Sequence, residues 1–292
     1  MQSNHNVSKK LKTLKNSPKL WIKKFPWKKI SGHKYSRGKV VIYGGKKDFT
    51  GATILAAMAA LRTGSGSVKI ICDKDTLQIY SLKFPSVLKA EIKNTKQFKE
   101  FLKKEEITSI LIGPGSGTSK KIKNITKLIL KKVKYVVVDA DALTCFKGDL
   151  KSLYKLLDKN KIITPHLGEF HKIFPKIKKN ISNLDKAINA AKLINSNIVL
   201  KGNNTIIVSY DKKIVINYHS SPELAVIGSG DVLSGLTVSL ISKNKMNPFL
   251  AACAAVWLHG DIAKNYGKGL ISEEIVNGIP GALKRLDRWK IY

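Results

Sequence analysis

Acidic residues and arginine are both scarce in this chain. Its 292 residues include 20 acidic residues against 53 basic ones, for a formal net charge of +33, and the only arginines are Arg37, Arg62, Arg285 and Arg288. The guanidinium fork of arginine suits specific recognition of phosphate, whereas the lysine ammonium is a hydrated point charge. A surface dominated by lysine therefore predicts loose, salt-dependent attraction to nucleic acid rather than a specific binding groove.

Cysteine and long apolar runs are also lacking. Cys72, Cys145 and Cys253 are far apart and odd in number, which argues against a disulfide framework or a cysteine-based metal site and indicates a reducing cytoplasm. No uninterrupted apolar run approaches the roughly 18 residues that a membrane span needs. Because 43% of the residues are hydrophobic, the chain can bury a sizeable core, which argues against a wholly disordered basic protein.

Positive charge is concentrated at the N-terminus. Residues 1–47 contain thirteen lysines, one arginine and no acidic residue, and they lack the apolar segment of a secretory signal. Residues 1–20 are predicted to form a basic, flexible arm that is either simply solvated or directed at a polyanionic partner. Residues 21–292 are predicted to form one domain, because no repeat, long linker or change of composition follows residue 40.

From Gly38 onward the sequence alternates strand-like and helix-like segments. This alternation predicts an α/β fold with a mostly parallel central sheet and helices on both faces. The predicted strands are Lys39–Tyr43, Ser67–Cys72, Ile110–Ile112, Tyr135–Val138, Ile162–Ile163, Asn197–Leu200, Thr205–Val208 and Ile214–Ile216. The predicted helices include Thr50–Arg62, Lys120–Lys131, Asn183–Ile194, Asp231–Ile241 and Asn247–Asn265.

The loops that follow these strands hold the residues of chemical interest. Glycine-rich loops occupy residues 44–51 and 113–117, and Asp139 and Asp141 follow the strand that ends at Val138. The carboxyl ends of parallel strands meet at one edge of a sheet, where ligands bind in such folds. We therefore expect these loops to form one site, although the pattern leaves the two aspartates open as either helix caps or Mg²⁺-related carboxylates.

Two further loops are ambiguous when each is considered alone. His166 lies in the stretch TPHLGEF, where an ordinary polar loop residue is the simpler interpretation, and Lys201 is one of many lysines. Their positions after strands are what make them candidates for the same site.

The stretch Gly228-Ser229-Gly230-Asp231 is the strongest single motif. Small residues at a helix start leave backbone N–H groups free, which favours an anion site. Asp231 there either caps the helix or acts as a base beside a bound phosphate, and the motif alone favours neither.

The motifs occur in an order that resembles a known family. They are GGKKDFTGA, TGSGSVKI, IGPGSG, VVVDADAL, TPHLGEF, VLKGNNTIIV, GSGDVLSG and AAVWLHGDIA, and the resemblance covers about residues 20–290. Together they are similar to the ADP/ATP-dependent NAD(P)H-hydrate dehydratases, the carbohydrate-kinase-like part of the YjeF proteins. The resemblance implies a ribokinase-like fold.

The resemblance also implies a hydro-lyase that repairs a damaged metabolite. The S-form of hydrated NADH or NADPH is phosphorylated on its hydroxyl by ADP or ATP, and elimination of the phosphate then restores NADH or NADPH. Implied with this activity are Mg²⁺, a cytoplasmic homo-oligomer, commonly a tetramer, and no membrane partner. An epimerase on a separate chain is the expected companion, because this length is too short for the epimerase domain that many relatives carry.

Residue roles follow from the resemblance by position. Asp231 would be the base on the hydroxyl, and the backbone of Gly228, Ser229 and Gly230 would form the anion hole. The residues implied to bound the hydrated dinucleotide, with Asp231, are Ala52, Gly117 and His166. Those implied to bind the nucleotide are Lys201, Gly202, Asn203, Asn204, Thr205 and Gly230. Glu169 is the implied metal-linked carboxylate, acting through a water molecule.

Four residues that precede the anion hole differ from the family pattern. Ser221-Pro222-Glu223 stands where the family usually has Asn-Pro-Gly, and Val226 and Ile227 stand where it usually has Thr-Gly. Because isoleucine adopts a positive φ less readily than glycine, we expect either a different local backbone or weaker binding. The alternative functions are a small-molecule kinase of the hydroxyethylthiazole or hydroxymethylpyrimidine type, and a non-catalytic relative that binds nucleotide or polyanion.

Overall fold

The centre of the fold is a ten-stranded sheet in a computed structural model that describes residues 12–28, 31–242 and 246–290. The strands lie in the order β1-β10-β9-β8-β7-β6-β5-β2-β3-β4, and neighbouring strands are parallel except where β9 runs antiparallel to β8 and β10. The strands are β1 (Thr13–Lys15), β2 (Lys39–Tyr43), β3 (Ser67–Cys72), β4 (Leu88–Glu91), β5 (Ser109–Ile112), β6 (Val136–Val138), β7 (Lys161–Ile163), β8 (Asn197–Leu200), β9 (Thr205–Val208) and β10 (Ile214–Asn217).

Helices connect most of the parallel strands. They are α1 (Thr50–Thr63), α2 (Lys74–Lys83), α3 (Thr95–Lys104), α4 (Lys120–Lys132), α5 (Ala140–Thr144), α6 (Leu150–Leu156), α7 (Leu167–Ile173), α8 (Asn183–Ile194), α9 (Ser229–Leu240), α10 (Pro248–Tyr266) and α11 (Ser272–Arg285).

Apolar side chains cover both faces of the sheet, as expected for parallel strands. Along β2, Val40 and Ile42 point into one core and Val41 into the other, because successive side chains of a strand alternate between faces. The first core contains residues of α1, α2, α9, α10 and α11, and the second contains residues of α3 to α8. The predicted α/β class, with a mostly parallel sheet and helices on both faces, is confirmed.

Most of the predicted elements match the observed ones closely. The strands at 39–43, 67–72, 197–200 and 205–208 and the helix at 183–194 have the predicted bounds, and the other predicted strands and helices differ by one or two residues at one or both ends. Two short strands were not predicted. In β4 the sequence LKAE mixes polar and apolar residues, and the β1 sequence TLK is exposed and was assigned to the N-terminal arm.

The described part of the predicted arm is folded, which corrects its boundary. β1 pairs in parallel with β10, and the buried side chain of Asn16 donates from Nδ2 to Oδ1 of Asn217 at 2.9 Å and to the backbone oxygen of Cys253 at 2.8 Å. Trp21 is 1% exposed. The strand pairing and the side-chain hydrogen bonds of Asn16 attach residues 13–16 to the rest of the described chain. Residues 1–11 lie outside the described residues.

Across the described ranges, no helix combines the length and the apolar character that crossing a membrane requires.

Candidate active site

The candidate site lies at the carboxyl ends of β6, β7 and β8. Asp139 follows β6 and is 1% exposed, and Lys201 follows β8. The amine of Lys201 lies 2.9 Å from Oδ1 of Asp139, while the hydroxyl of Ser234 on α9 donates to Oδ2 at 2.6 Å. Both carboxylate oxygens are thereby satisfied, as a buried charge requires.

Glu169 and His166 complete this cluster from the start of α7. Glu169 Oε2 accepts from the backbone N–H of His166 at 2.9 Å and lies 3.9 Å from the amine of Lys201. The ring Nδ1 of His166 in turn accepts from the N–H of Gly168 at 3.0 Å, so the two side chains form a reciprocal helix cap. Burial raises the pKa of Glu169, and the Lys201 ammonium opposes that shift.

Lys201 is surrounded by carboxylates. Burial lowers the pKa of its amine, but the charges of Asp139 and Glu169 outweigh that effect, and the net pKa lies above its ordinary value. Lys201 is therefore a fixed cation in this site at neutral pH.

The first turn of α9 lies beside that cation. The backbone N–H of Ser229 donates to the backbone oxygen of Val226 at 3.3 Å, whereas those of Gly230 and Asp231 have no backbone partner among the described residues. Gly228 adopts a φ of +88°, which glycine allows, and turns the chain into the helix at Ser229. A Cβ placed on Gly230 would lie 3.3 Å from the amine of Lys201, so the helix N-terminus and the ammonium border the same space. An anion at this position would therefore be next to both the helix N-terminus and the ammonium.

Asp231 lies in the same helical turn. Burial, reinforced by the negative charge of Asp139 and opposed by Lys201, raises the pKa of Asp231 to about 7. A carboxylate with such a pKa, next to an anion site, can accept a proton at neutral pH.

The loop before α9 is held by its neighbours. Ser272, at the start of α11, donates its hydroxyl to the backbone oxygen of Ile227 at 2.6 Å, and a Cβ on Gly228 would lie 2.5 Å from Leu55 of α1. Ile227 does not adopt a positive φ, and its side chain is 99% exposed. The positive φ of this loop therefore lies at Gly228, and isoleucine at position 227 does not have to adopt the left-handed conformation.

A cavity of about 460 Å³ is lined in part by Lys201. Its walls combine apolar side chains with polar loop residues, and they include Leu167, Asn183, Leu200, Lys201, Gly202, Asn203, Asn204, Ile206, Ile216 and Tyr218. The predicted nucleotide residues 201–204 thus share one cavity. Thr205 is not among its lining residues, and its hydroxyl donates instead to the backbone oxygen of Gly202 at 3.2 Å.

The two glycine-rich loops pack against each other beside the cluster. Lys46 N–H donates to the backbone oxygen of Gly115 at 2.9 Å, and Gly117 N–H donates to Oδ2 of Asp141 at 2.7 Å. Asp141 therefore fixes the loop that carries the predicted substrate residue Gly117. Ala52 lies in the first turn of α1, one turn before the Leu55 that contacts Gly228.

Within the part of the chain that the structure describes, no cluster of three or more histidine, cysteine or acidic side chains has the arrangement of a metal site. Glu169 is 8% exposed and both of its oxygens have neighbours, Oε1 lying 3.4 Å from Nε2 of His166. Protein groups alone thus do not form a complete cation cage. A single carboxylate acting through water, with nucleotide phosphates as the other ligands, is a set that Mg²⁺ commonly uses.

The sequence analysis did not predict two residues of the site, Ser234 and His259, and it left the role of Asp139 open. Asp139 was left open between a cap and a metal carboxylate, whereas its partner is the amine of Lys201. Ser234 follows Asp231 by three residues and therefore lies one turn further along α9, a spacing that could have indicated it. His259, in the motif AAVWLHGDIA, lies 3.1 Å from the hydroxyl of Ser229, and no local pattern signals that contact.

The mostly parallel sheet, covered by helices on both faces, is the fold of ribokinase-like proteins. A crystal structure of a ribokinase-like superfamily protein from Enterococcus faecalis superposes with a TM-score of 0.83 at 21% identity, covering 94% of this chain and 96% of that one. The structure of a Bacillus subtilis ADP/ATP-dependent NAD(P)H-hydrate dehydratase, co-crystallised with ATP and Mg²⁺, superposes with a TM-score of 0.77 at 24% identity, covering 93% and 98%. At these identities the two structures establish the fold alone.

The sequence establishes the family. Residues 40–274 match a family model described as NAD(P)H-hydrate dehydratase. The ADP-dependent (S)-NAD(P)H-hydrate dehydratase of Neisseria meningitidis serogroup B is 32% identical over 256 residues, covering 83% of this chain and 84% of that protein. The chain belongs to the NAD(P)H-hydrate dehydratase family.

The chain also matches bifunctional NAD(P)H-hydrate repair enzymes, and it spans about half of their length. Family membership favours a dehydratase over the small-molecule kinase and the non-catalytic binder.

Proposed function

We propose that this chain dehydrates the S-form of hydrated NADH and NADPH, with ADP or ATP as the phosphoryl donor. The observation that carries the proposal is the position of Asp231, in the same helical turn as Gly230, which borders the amine of Lys201. A proton acceptor and an anion site are thereby next to each other, as phosphorylation of a hydroxyl requires.

In the first step Asp231 takes the proton of the substrate hydroxyl, and the hydroxyl oxygen forms a bond to the terminal phosphorus of the nucleotide. The bond from that phosphorus to the bridging oxygen breaks, and AMP or ADP leaves with the electron pair. The N–H groups at the start of α9, apart from that of Ser229, and the Lys201 ammonium would stabilise charge on the transferred phosphoryl group.

In the second step the phosphorylated substrate loses phosphate. The carbon–oxygen bond breaks with its electrons on phosphate, the ring nitrogen supplies electrons to that carbon, and loss of a proton from the adjacent carbon restores the double bond. Phosphate leaves far more readily than hydroxide, which is the reason for phosphorylating first. The same anion site would stabilise the departing phosphate.

The cavity beside Lys201 supports nucleotide as the co-substrate. It has a volume of about 460 Å³, with the apolar side chains of Leu167, Ile216 and Tyr218 for an adenine ring. Asn203 and Asn204 supply polar groups. Lys201 lines the cavity, and its amine lies beside Gly230 at the start of α9, where phosphates would extend.

Mg²⁺ belongs to this proposal as a companion of the nucleotide. Glu169, acting through water, would hold it, and the ion would supply charge neutralisation at the phosphates. Ala52, Gly117 and His166 would bound the dinucleotide, and Thr205 would act by shaping the loop of residues 202–204. We also infer a cytoplasmic homotetramer, and an epimerase that supplies the S-form, on the family resemblance.

Product analysis tests the proposal against the kinase alternative. Incubation of the hydrated dinucleotide with ADP or ATP should yield one inorganic phosphate for each nucleotide consumed and for each reduced dinucleotide formed. Accumulation of a stable phosphorylated product without inorganic phosphate would assign a kinase instead. Nucleotide binding without any turnover would assign a non-catalytic binder.

A further inference from the structure

His259 lies beneath the anion site, in a place that none of the proposed steps uses. It belongs to α10, is 7% exposed, and its ring Nε2 lies 3.1 Å from the hydroxyl oxygen of Ser229. Ser229 is itself 6% exposed and is the first residue of α9. A buried hydrogen bond therefore ties the side chain of the anion-site loop to a helix that otherwise packs in the core.

The direction of this hydrogen bond decides what the serine can do. A hydroxyl has one proton to donate and two lone pairs to accept with. When Nε2 carries the ring proton, it donates to the serine oxygen, and the hydroxyl proton remains available for an anion. When Nε2 is unprotonated, it accepts the hydroxyl proton, and the serine has none left to offer.

The surroundings of His259 keep the ring neutral, so that the tautomer matters. Burial lowers the pKa of His259 to about 4; a hydrogen bond with the Ser229 backbone opposes this shift, and the Lys201 ammonium adds a smaller lowering. A neutral imidazole carries one proton, and its position is set by the hydrogen bonds that the two nitrogens make.

We propose that His259 is a positioning residue, which donates from Nε2 to the Ser229 hydroxyl and so aims the hydroxyl proton at the phosphoryl group in the anion site. This inference rests on the proposed function. It adds the Ser229 hydroxyl as a side-chain donor to the backbone N–H groups at the start of α9, and this donor would be oriented before the reaction begins. Preorganised donors of this kind contribute in the transition state more than in ground-state binding.

Matched variants test the role through activity. His259→Phe keeps a ring of similar size without a donor, and we expect kcat to fall about ten- to hundredfold, with KM for the hydrated dinucleotide changed less than about threefold. His259→Gln can place its amide donor near the position of Nε2 and should restore kcat to within about threefold of wild type.

The double-variant cycle separates positioning from a general structural role. If His259 acts through Ser229, then His259→Phe should cost less than about twofold in kcat when Ser229→Ala is already present. Independent, multiplying effects of the two substitutions, or a loss in His259→Phe that follows a fall in melting temperature and is not rescued by His259→Gln, would overturn the inference.

The tautomer of His259 can also be measured by NMR spectroscopy, which does not require turnover. In protein with ¹⁵N-labelled histidine, and with His259→Phe to assign the signals, long-range proton–nitrogen spectra in the presence of ADP should show His259 with its proton on Nε2. A proton on Nδ1 would overturn the inference even if the enzyme is fully active. Absence of nucleotide-dependent turnover in wild type, by contrast, would count against the proposed function, and the tautomer would still be measured.

Discussion

The amine of Lys201 and the carboxylate of Asp139 lie 2.9 Å apart, although they come from β8 and β6, two strands apart in the sheet. The pair links the nucleotide cavity to the reaction centre. Lys201 lines the cavity, and Asp139 accepts a hydrogen bond from Ser234 of α9, the helix whose first turn contains Asp231. One buried ion pair thereby fixes the cation relative to the proposed base.

Asp139→Asn should destabilise the fold and weaken nucleotide binding. Removing one partner of a buried ion pair leaves the other charge uncompensated, and the expected loss is about 2–4 kcal/mol in the free energy of unfolding. Chemical denaturation measures this loss, and the nucleotide Kd should rise because the lysine is no longer held in position.

Asp287→Asn is the matched control for that substitution. Asp287 pairs with Lys290, and both side chains are about half exposed, at 54% and 46%. Its loss should cost less than about 1 kcal/mol, because surface ion pairs contribute little. Equal effects of the two substitutions would show that the Asp139 pair has no special role.

Activity should rise with pH through neutrality. Burial and the charge of Asp139 raise the pKa of Asp231 to about 7, and only the ionised carboxylate can accept the hydroxyl proton. Below pH 7 we expect kcat/KM for the hydrated dinucleotide to fall about tenfold per pH unit, with a plateau above about pH 8. A profile that is flat between about pH 5 and 8 would exclude Asp231 as the titrating base.

The raised pKa of Asp231 also predicts that this residue lowers the free energy of unfolding at neutral and higher pH. Because the pKa of Asp231 is raised from 3.8 to about 7 on folding, the fold favours the protonated form. Stability linked to this group is therefore fully present below about pH 4 and decreases as pH rises towards 7.

Asp231→Asn should accordingly be more stable than wild type at pH 8, because it removes a buried charge near Asp139. The difference in unfolding free energy should shrink as the pH is lowered to about 4, where the wild-type carboxyl is protonated. Thermal unfolding of both proteins across this range measures the effect. A variant that is equally stable at pH 8 would contradict the raised pKa.

Gly228 should tolerate no side chain. Its φ is +88°, and a Cβ there would lie 2.5 Å from Leu55 and 3.1 Å from the hydroxyl of Ser272. Gly148 has the same φ of +88° but no atom within 4 Å of its would-be Cβ, so Gly148→Ala isolates the cost of the backbone conformation. Gly228→Ala should be less stable than Gly148→Ala by about 1–2 kcal/mol, because it also overpacks the loop.

Catalytic activity should also distinguish the alanine variants of Gly228 and Gly148. We expect Gly228→Ala to lose most of its turnover, since the anion-site N–H groups move with the loop, whereas Gly148→Ala should retain wild-type kcat. If both alanine variants keep full activity, the loop geometry described for residues 227–230 does not matter for catalysis.

The local hydrophobic pattern of the sequence predicted the fold well because most strands of the sheet are strongly apolar. Val136–Val138 and Asn197–Leu200 are buried throughout, so each sequence segment carries its own signal. β1 could not be predicted in the same way. Its exposed sequence TLK has no strand pattern, and it forms because β10 offers an unpaired edge about two hundred residues away.

The sequence predicted only those features of the site that follow from the order of strands and loops along the chain. Residues after successive strands were expected at one edge of the sheet, and the structure brings Lys201, His166 and Glu169 together there. Side-chain partners across the sheet were not predictable. The contact between His259 and Ser229 depends on how α10 packs beneath α9, and that packing follows from the whole core.

The most direct test is recovery of the near-ultraviolet absorbance of reduced nicotinamide from hydrated NADH, with ADP or ATP and Mg²⁺, in wild type and Asp231→Asn. We predict nucleotide-dependent recovery in wild type and a loss of at least about a thousandfold in the variant, while the variant remains folded and binds nucleotide. Equal recovery by the two proteins would remove Asp231 from the mechanism, and no recovery by folded wild type would contradict the proposed dehydration.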